Sequence, residues 1–252
     1  MIEAFQISSG FVLGTLIGSY LATLLIRWPA GRSAAAGRSA CDACRRTLRP
    51  SELVPVLSHL LSGGRCRTCK AAIDPKHLAV ELAAGAVGAV AMVAHPGWLG
   101  LVTAALGWWL LIAALIDLYH HWLPDELTLP LIPLGLLAGW AGYGPDLEAR
   151  LIGAAAGFLV LWLIAYAYRK LRHREGMGGG DPKLFAALGA WLGWMHLPMV
   201  LLGAGLVGIA AIAAARARGQ AVSATDRLPL GTLMILPAWA IWLVIARQPL
   251  DF

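Results

Sequence analysis

Apolar residues occur along this chain in long, nearly unbroken runs, with polar residues gathered into the short stretches between them. A helix that crosses a bilayer needs about 20 predominantly apolar residues. Eight segments meet or approach that requirement, at 4–26, 78–95, 98–116, 126–143, 149–168, 182–197, 198–215 and 229–246. The sixth and seventh are short and divided only around His196–Pro198, so one re-entrant pair is an alternative reading there. The pattern predicts an all-α polytopic membrane protein with about eight transmembrane helices. Its domains would be a first helix over 1–26, a small loop domain over 27–77 and a multi-helix membrane domain over 78–252.

Composition agrees. The chain has 252 residues, 59% of them hydrophobic and 13% charged; soluble domains carry about 25% charged residues. A large soluble globular domain is excluded. The formal charge of +6 raises a nucleic-acid partner, but the positions of the charges point to the lipid bilayer instead. Glu3 stands where a signal peptide is basic, and Arg27 and Arg32 follow the first apolar run. That order predicts a retained first helix with its amino terminus outside.

The loops on the other side are then 27–77, 117–125, 169–181 and 216–228. The first holds Arg27, Arg32, Arg38, Arg45, Arg46, Arg49, Arg65, Arg67, Lys70 and Lys76. The third holds Arg169, Lys170, Arg172 and Arg174, with Lys183 just beyond, and the fourth holds Arg216, Arg218 and Arg227. Only Arg150 and Arg247 fall elsewhere. Lys and Arg resist translocation, so this face is expected to be cytosolic. No internal repeat is evident.

All four cysteines lie in the first loop, as Cys41-Asp42-Ala43-Cys44 and Cys66-Arg67-Thr68-Cys69. Two C-x-x-C pairs suit a tetrahedral four-thiolate Zn2+ site. A loop this small has little core of its own, and metal binding would supply folding energy. Disulfides are disfavoured on a cytosolic face. Arg45, Arg46, Arg65 and Arg67 would offset the negative metal centre. Four closed ligands leave no open position, so the zinc is expected to be structural.

Carboxylates near a bilayer are costly and mark function. Asp117 follows the third apolar run; its alternative reading is a polar helix end. Asp125, after Pro124, suits a helix N-cap, and so does Asp181 before Pro182. Capping leaves Gly176, Gly178, Gly179 and Gly180 unexplained; glycines there permit positive φ and close approach of another chain. Two carboxylates sharing one proton can activate water and polarise a peptide carbonyl.

Gly178-Gly179-Gly180-Asp181-Pro182-Lys183-Leu184 resembles the Gly-x-Gly-Asp-x-Lys-Leu motif of the type IV prepilin peptidases, membrane aspartic proteases of the GxGD class. Ala186 to Gly193, Ile116-Asp117 through Thr128, Gly18-Ser19-Tyr20, Arg27–Pro29, Pro55-Val56-Leu57-Ser58, Gly64-Arg65 and both C-x-x-C pairs resemble that family in the same order. Leu53, His59, Gly179 and Pro182 depart from its usual residues. The resemblance implies a catalytic pair, Asp117 and Asp181, with Asp125, Gly178, Gly180 and Lys183 in support. It implies cleavage of the basic leader of prepilins or pseudopilins, serving a type IV pilus or type II secretion, with the active site facing the cytosol. It also implies N-methylation of the new amino terminus from S-adenosylmethionine. A non-catalytic scaffold or permease, its aspartates binding ions or protons, is the alternative.

Overall fold

The computed structural model describes residues 2–34, 37–173, 176–220 and 228–246. Arg174, Arg227 and Arg247, counted above by charge, lie outside these residues. Among the described residues the chain is helical, without strands: α1 (Ile2–Arg27), α2 (Leu57–Ser62), α3 (Pro75–Ala94), α4 (Trp98–His120), α5 (Asp125–Thr128), α6 (Leu131–Trp140), α7 (Leu147–Arg172), α8 (Gly180–Leu192), α9 (Leu197–Ala217) and α10 (Leu230–Ile245). It divides into two compact units, Met1–Trp108 and Trp109–Phe252.

Every apolar segment read from the sequence falls on a helix, but the helices differ in length. Among the described residues five stretches are long and apolar enough to cross a membrane: α1, α3, α4, α7 and Trp194–Ala217, which contains α9. The fourth segment breaks at Leu129–Pro130 into α5 and α6, because proline has no N–H to continue the ladder. Gly193, with φ 72°, ends α8 after 13 residues, about 20 Å of helix at 1.5 Å per residue. A single turn over Trp194–His196 then leads into α9.

In the first unit α1 and α3 meet backbone to backbone. Gly10, Gly14 and Gly18 repeat every fourth residue on one face of α1, opposite Ala84, Gly85 and Gly88 of α3. A Cβ built at Gly14 would lie 2.2 Å from the Ala84 carbonyl oxygen. Small residues allow such approach between membrane helices, where dispersion replaces the hydrophobic effect as the packing force. The loop region is tied to α3 by Glu81, whose Oε2 accepts the Val56 N–H at 2.7 Å. Val56 sits at φ 60°, a conformation that β-branched residues rarely adopt.

In the second unit α8 is the central element. Its residues Pro182 and Leu184–Leu192 are buried. Gly153 and Gly157 of α7 meet Gly189 and Phe185 of α8 at their backbones, and Gly135 of α6 meets Ala190. Trp191 Nε1 donates to Leu131 O at 2.9 Å. Arg150 is fully buried. Its guanidinium donates to the carbonyls of Pro145 (2.8 Å), Gly135 (2.7 Å), Ala190 (3.1 Å) and Tyr143, and lies over the Trp242 ring. This residue is one of the two exceptions to the charge asymmetry. Backbone carbonyls of the Tyr143–Pro145 turn, of α6 and of the end of α8 (together with an aromatic face) replace its hydration.

Candidate active site and cysteine cluster

Asp117 lies in the last turn of α4 and is 5% exposed. The carbonyl end of a helix is a poor place for an anion, so the side chain needs donors from elsewhere. They come from α10. Asp117 Oδ2 accepts the Thr232 N–H at 2.7 Å and lies 3.1 Å from the Thr232 hydroxyl. The N-cap of α10 is Pro229, whose side chain makes no capping bond; the Asp117 carboxylate takes that position from another helix.

Asp181 is in the first turn of α8 and 7% exposed. It is not the N-cap that the sequence suggests. The cap position is Gly179, and Asp181 Oδ2 accepts the Gly178 N–H at 3.1 Å. The glycines also differ from expectation, since none from 176 to 180 has positive φ. What matters is the missing Cβ. One at Gly180 would lie 2.6 Å from Leu123 Cβ, and one at Gly176 2.5 Å from the Tyr168 ring. Around Gly179 there is open space.

Leu123 links the surroundings of the two aspartates, standing against Gly180 beside Asp181 and against Gly231 beside Asp117. A Cβ at Gly231 would stand 2.7 Å from Leu123 Cδ1 and 3.0 Å from Asp117 Oδ2. Asp117, Leu123, Gly180, Asp181, Gly231 and Thr232 therefore form one cluster built from α4, the turn after it, α8 and α10. Asp125 is likewise not an N-cap, since Pro124 holds that position. Its carboxylate binds Lys183 Nζ at 2.6 and 2.8 Å, joining α5 to α8. Leu123 lies in the stretch Ile116 to Thr128 that the sequence marks, whereas Gly231 and Thr232 carry no such mark. The one local signal was Pro229-Leu230-Gly231 opening an apolar run, a start with no side-chain cap.

The cysteines also converge. All four Sγ atoms lie within 4.8 Å of one another, and Cys41 and Cys69 are 3.8 Å apart. Zn–S bonds of about 2.3 Å in a tetrahedron set Sγ atoms about 3.8 Å apart, so the four residues fit a tetrathiolate metal. The two C-x-x-C turns are structural copies, a repeat hidden in the sequence. Cys41 and Cys66 N–H donate to Arg46 and Ala71 carbonyls, both at 2.9 Å. Arg45 and Lys70 sit at φ 58° and 59°, and the bridges Ala40–Thr47 and Arg65–Ala72 close the turns. Backbone N–H groups of Cys69 and Thr68 hold the Cys66 thiol down to about 6. An Ala71 N–H favours the Cys69 thiolate, but burial and bonds to the other cysteines outweigh it and push that thiol up to about 11. Arg46 grips Glu52 at 2.7 and 3.0 Å, holding its carboxyl down to about 2. Beside the cluster lies a cavity of about 240 Å³, lined among others by Asp42, Glu52, His59, His77 and Glu81.

Residues 104–213 match the family model described as the type IV leader peptidase family, and residues 12–95 match the bacterial peptidase A24 N-terminal domain. Curated relatives that are similar carry the name prepilin leader peptidase/N-methyltransferase. The one from Aeromonas salmonicida is 48% identical over 172 residues, 68% of this chain and 59% of the relative. The Burkholderia pseudomallei relative is 39% identical over 256 residues, covering 91% and 82%. The Pseudomonas aeruginosa relative is 38% identical over 253 residues, covering 90% and 87%. The match thus spans about three fifths of the Aeromonas relative and most of the other two. No solved structure matches.

Proposed function

The chain belongs to the type IV leader peptidase family, and on that footing we propose that Asp117 and Asp181 are the dyad of an aspartic endopeptidase. Its substrates are prepilins or pseudopilins, cut between the basic leader and the apolar helix. The observation that supports the reading is that two buried carboxylates, on helices far apart in the chain, have neighbouring glycines that pack on the same residue, Leu123. Two such groups resist both being ionised, so one holds a proton. Asp117, with two donors at Oδ2, takes the anionic role. It removes a proton from water as the water oxygen attacks the scissile carbonyl carbon. Asp181, protonated, donates to the carbonyl oxygen. The tetrahedral gem-diol collapses as the C–N bond breaks: the proton held by Asp117 passes to the leaving amine, and one hydroxyl returns its proton to Asp181 as the carbonyl re-forms. The open space at Gly179 is where an extended substrate strand approaches.

All eight apolar segments are read as membrane-embedded, and the basic loops set the dyad at the cytosolic border of the bacterial inner membrane, with the amino terminus outside. The three-part division, a first helix, a loop domain over 27–77 and the membrane domain after it, belongs to the same reading. The test is leader cleavage in membranes carrying Asp117→Asn or Asp181→Asn. Both variants are expected to insert normally and to leave the prepilin uncut. Full cleavage by either removes that residue from the mechanism.

The second activity is N-methylation of the new amino terminus. The four cysteines hold a structural Zn2+, and the adjoining cavity is the place for the methyl donor. S-adenosylmethionine supplies an electrophilic methyl group on a sulfonium centre. Asp42, Glu52 and Glu81 line the cavity with charge suited to a sulfonium and an amine. Mass spectrometry of pilin matured by a Glu81→Gln variant is expected to show a cleaved but unmethylated amino terminus. A fully methylated product overturns this placement.

A further inference from the structure

We infer that Thr232, in the first turn of α10, is a positioning residue that holds Asp117 for the cleavage reaction. The inference rests on the dyad reading above and adds to it a third element, from a part of the chain the sequence motifs leave aside.

Thr232 offers Asp117 two groups of different kinds. The first is its N–H, 2.7 Å from Oδ2. This is one of the donors that every helix start leaves without an internal partner, and Pro229 provides no cap for it. The second is the hydroxyl. Its oxygen lies 2.7 Å from the Ala114 carbonyl oxygen and 3.1 Å from Asp117 Oδ2. A hydroxyl has one proton, so at any moment it serves one of these two acceptors.

Acceptor strength decides which. An anionic carboxylate is a stronger acceptor than an amide carbonyl, so ionised Asp117 draws the hydroxyl proton toward Oδ2. Once Asp117 has taken a proton from water it loses that advantage, and the hydroxyl turns back to Ala114, one helical turn earlier on α4. Thr232 therefore has a partner in both protonation states, and Asp117 keeps its orientation as its charge changes. With Oδ2 bound to α10, Oδ1 is the oxygen presented to the reacting water. Asp181 has a sparser setting, with one backbone N–H at 3.1 Å. The unequal support matches unequal roles for the two carboxylates.

The experiment compares the full chain with Thr232→Val, Thr232→Ser and Thr232→Ala in lipid, using a prepilin-type substrate and recording kcat, KM and their pH dependence. Valine keeps the shape and the N–H and removes the hydroxyl. A lost hydrogen bond to a charged group predicts a fall in kcat of about tenfold to a hundredfold. KM is expected to hold, and the acidic limb of the profile to move to higher pH because the anion has lost a donor. Serine is expected to restore both. If the valine variant fails to insert, the alanine variant is read in its place with the same expectations. Wild-type kcat and pH profile in the variant lacking the hydroxyl overturn the inference, as does a loss that serine does not restore. Asp117→Asn runs beside them. If it cleaves, the dyad reading has failed; if it is inactive while the hydroxyl variant behaves as wild type, only the role of Thr232 has failed.

Discussion

Lys183 holds Asp125 through both carboxylate oxygens, at 2.6 and 2.8 Å, across 58 residues of sequence. The pair joins the short helix α5 to the first turn of α8, two residues beyond Asp181. Its side chains are 33% and 52% exposed, so solvent screens the attraction and its share of stability is at most about 1 kcal/mol. Orientation is its larger effect. Asp125→Lys and Lys183→Asp singly are expected to lower cleavage roughly threefold to tenfold with little change in melting temperature. The double exchange is expected to recover most of the loss, as a coupled pair requires. Absence of recovery in a double-mutant cycle shows that the contact has no orienting role.

Gly231 stands against Asp117 and Leu123 with no room for a side chain. An alanine Cβ would lie 2.7 Å from Leu123 Cδ1 and 3.0 Å from Asp117 Oδ2, so the carboxylate must move. Misplacement of a reacting group by about 1 Å costs roughly a hundredfold in rate, and Gly231→Ala is expected to fall by that order. Gly205→Ala on α9 is the matched control, because its Cβ enters open space, and full activity is expected there. Equal activities in the two variants count against the crowding.

Arg150 is the main polar tie among α6, α7 and α8. Its substitution by methionine keeps much of the volume but removes four donated hydrogen bonds. A loss of roughly 3 kcal/mol is expected from several buried carbonyls losing donors at once. Arg150→Lys is expected to rescue little, since one ammonium cannot reproduce the planar fork. Unfolding of the purified protein in detergent measures both. A methionine variant with wild-type stability contradicts the bonding just described.

The cysteine cluster should lose its metal as the solution is made acidic. Metal binding requires every thiol to be deprotonated. The thiols titrate as a set, with Cys66 held down and Cys69 pushed up, and loading the metal drives off the protons they still carry. Falling pH therefore weakens binding, because protons compete with the metal for the thiolates. Competition with a chelator at pH about 7.5 and about 5.5 is expected to show zinc released more readily in acid. Cys66→Ser is expected to lose the metal and methylation while leader cleavage persists, because the aspartate cluster is built wholly within the second unit.

The sequence by itself determined what depends on local composition. Long apolar runs had to become helices, because a bilayer satisfies backbone groups in few other ways, and all eight runs fall on helices. The C-x-x-C spacing marks four thiols that converge in the fold, and the apolar surroundings of Asp117 and Asp181 mark both as costly carboxylates. Tertiary structure decided the rest. Pro130 and Gly193 shortened two expected spans. The glycines before Asp181 serve Leu123 and Tyr168 by lacking a Cβ, at ordinary negative φ, which composition cannot distinguish from a turn. Asp125 and Asp181 left the cap positions that local preference assigned them, and Arg150 found carbonyls in place of a counter-ion. Above all, Thr232 reaches Asp117 across 115 residues. No residue period records such a bond, because it exists only once α10 has packed its uncapped first turn against the end of α4.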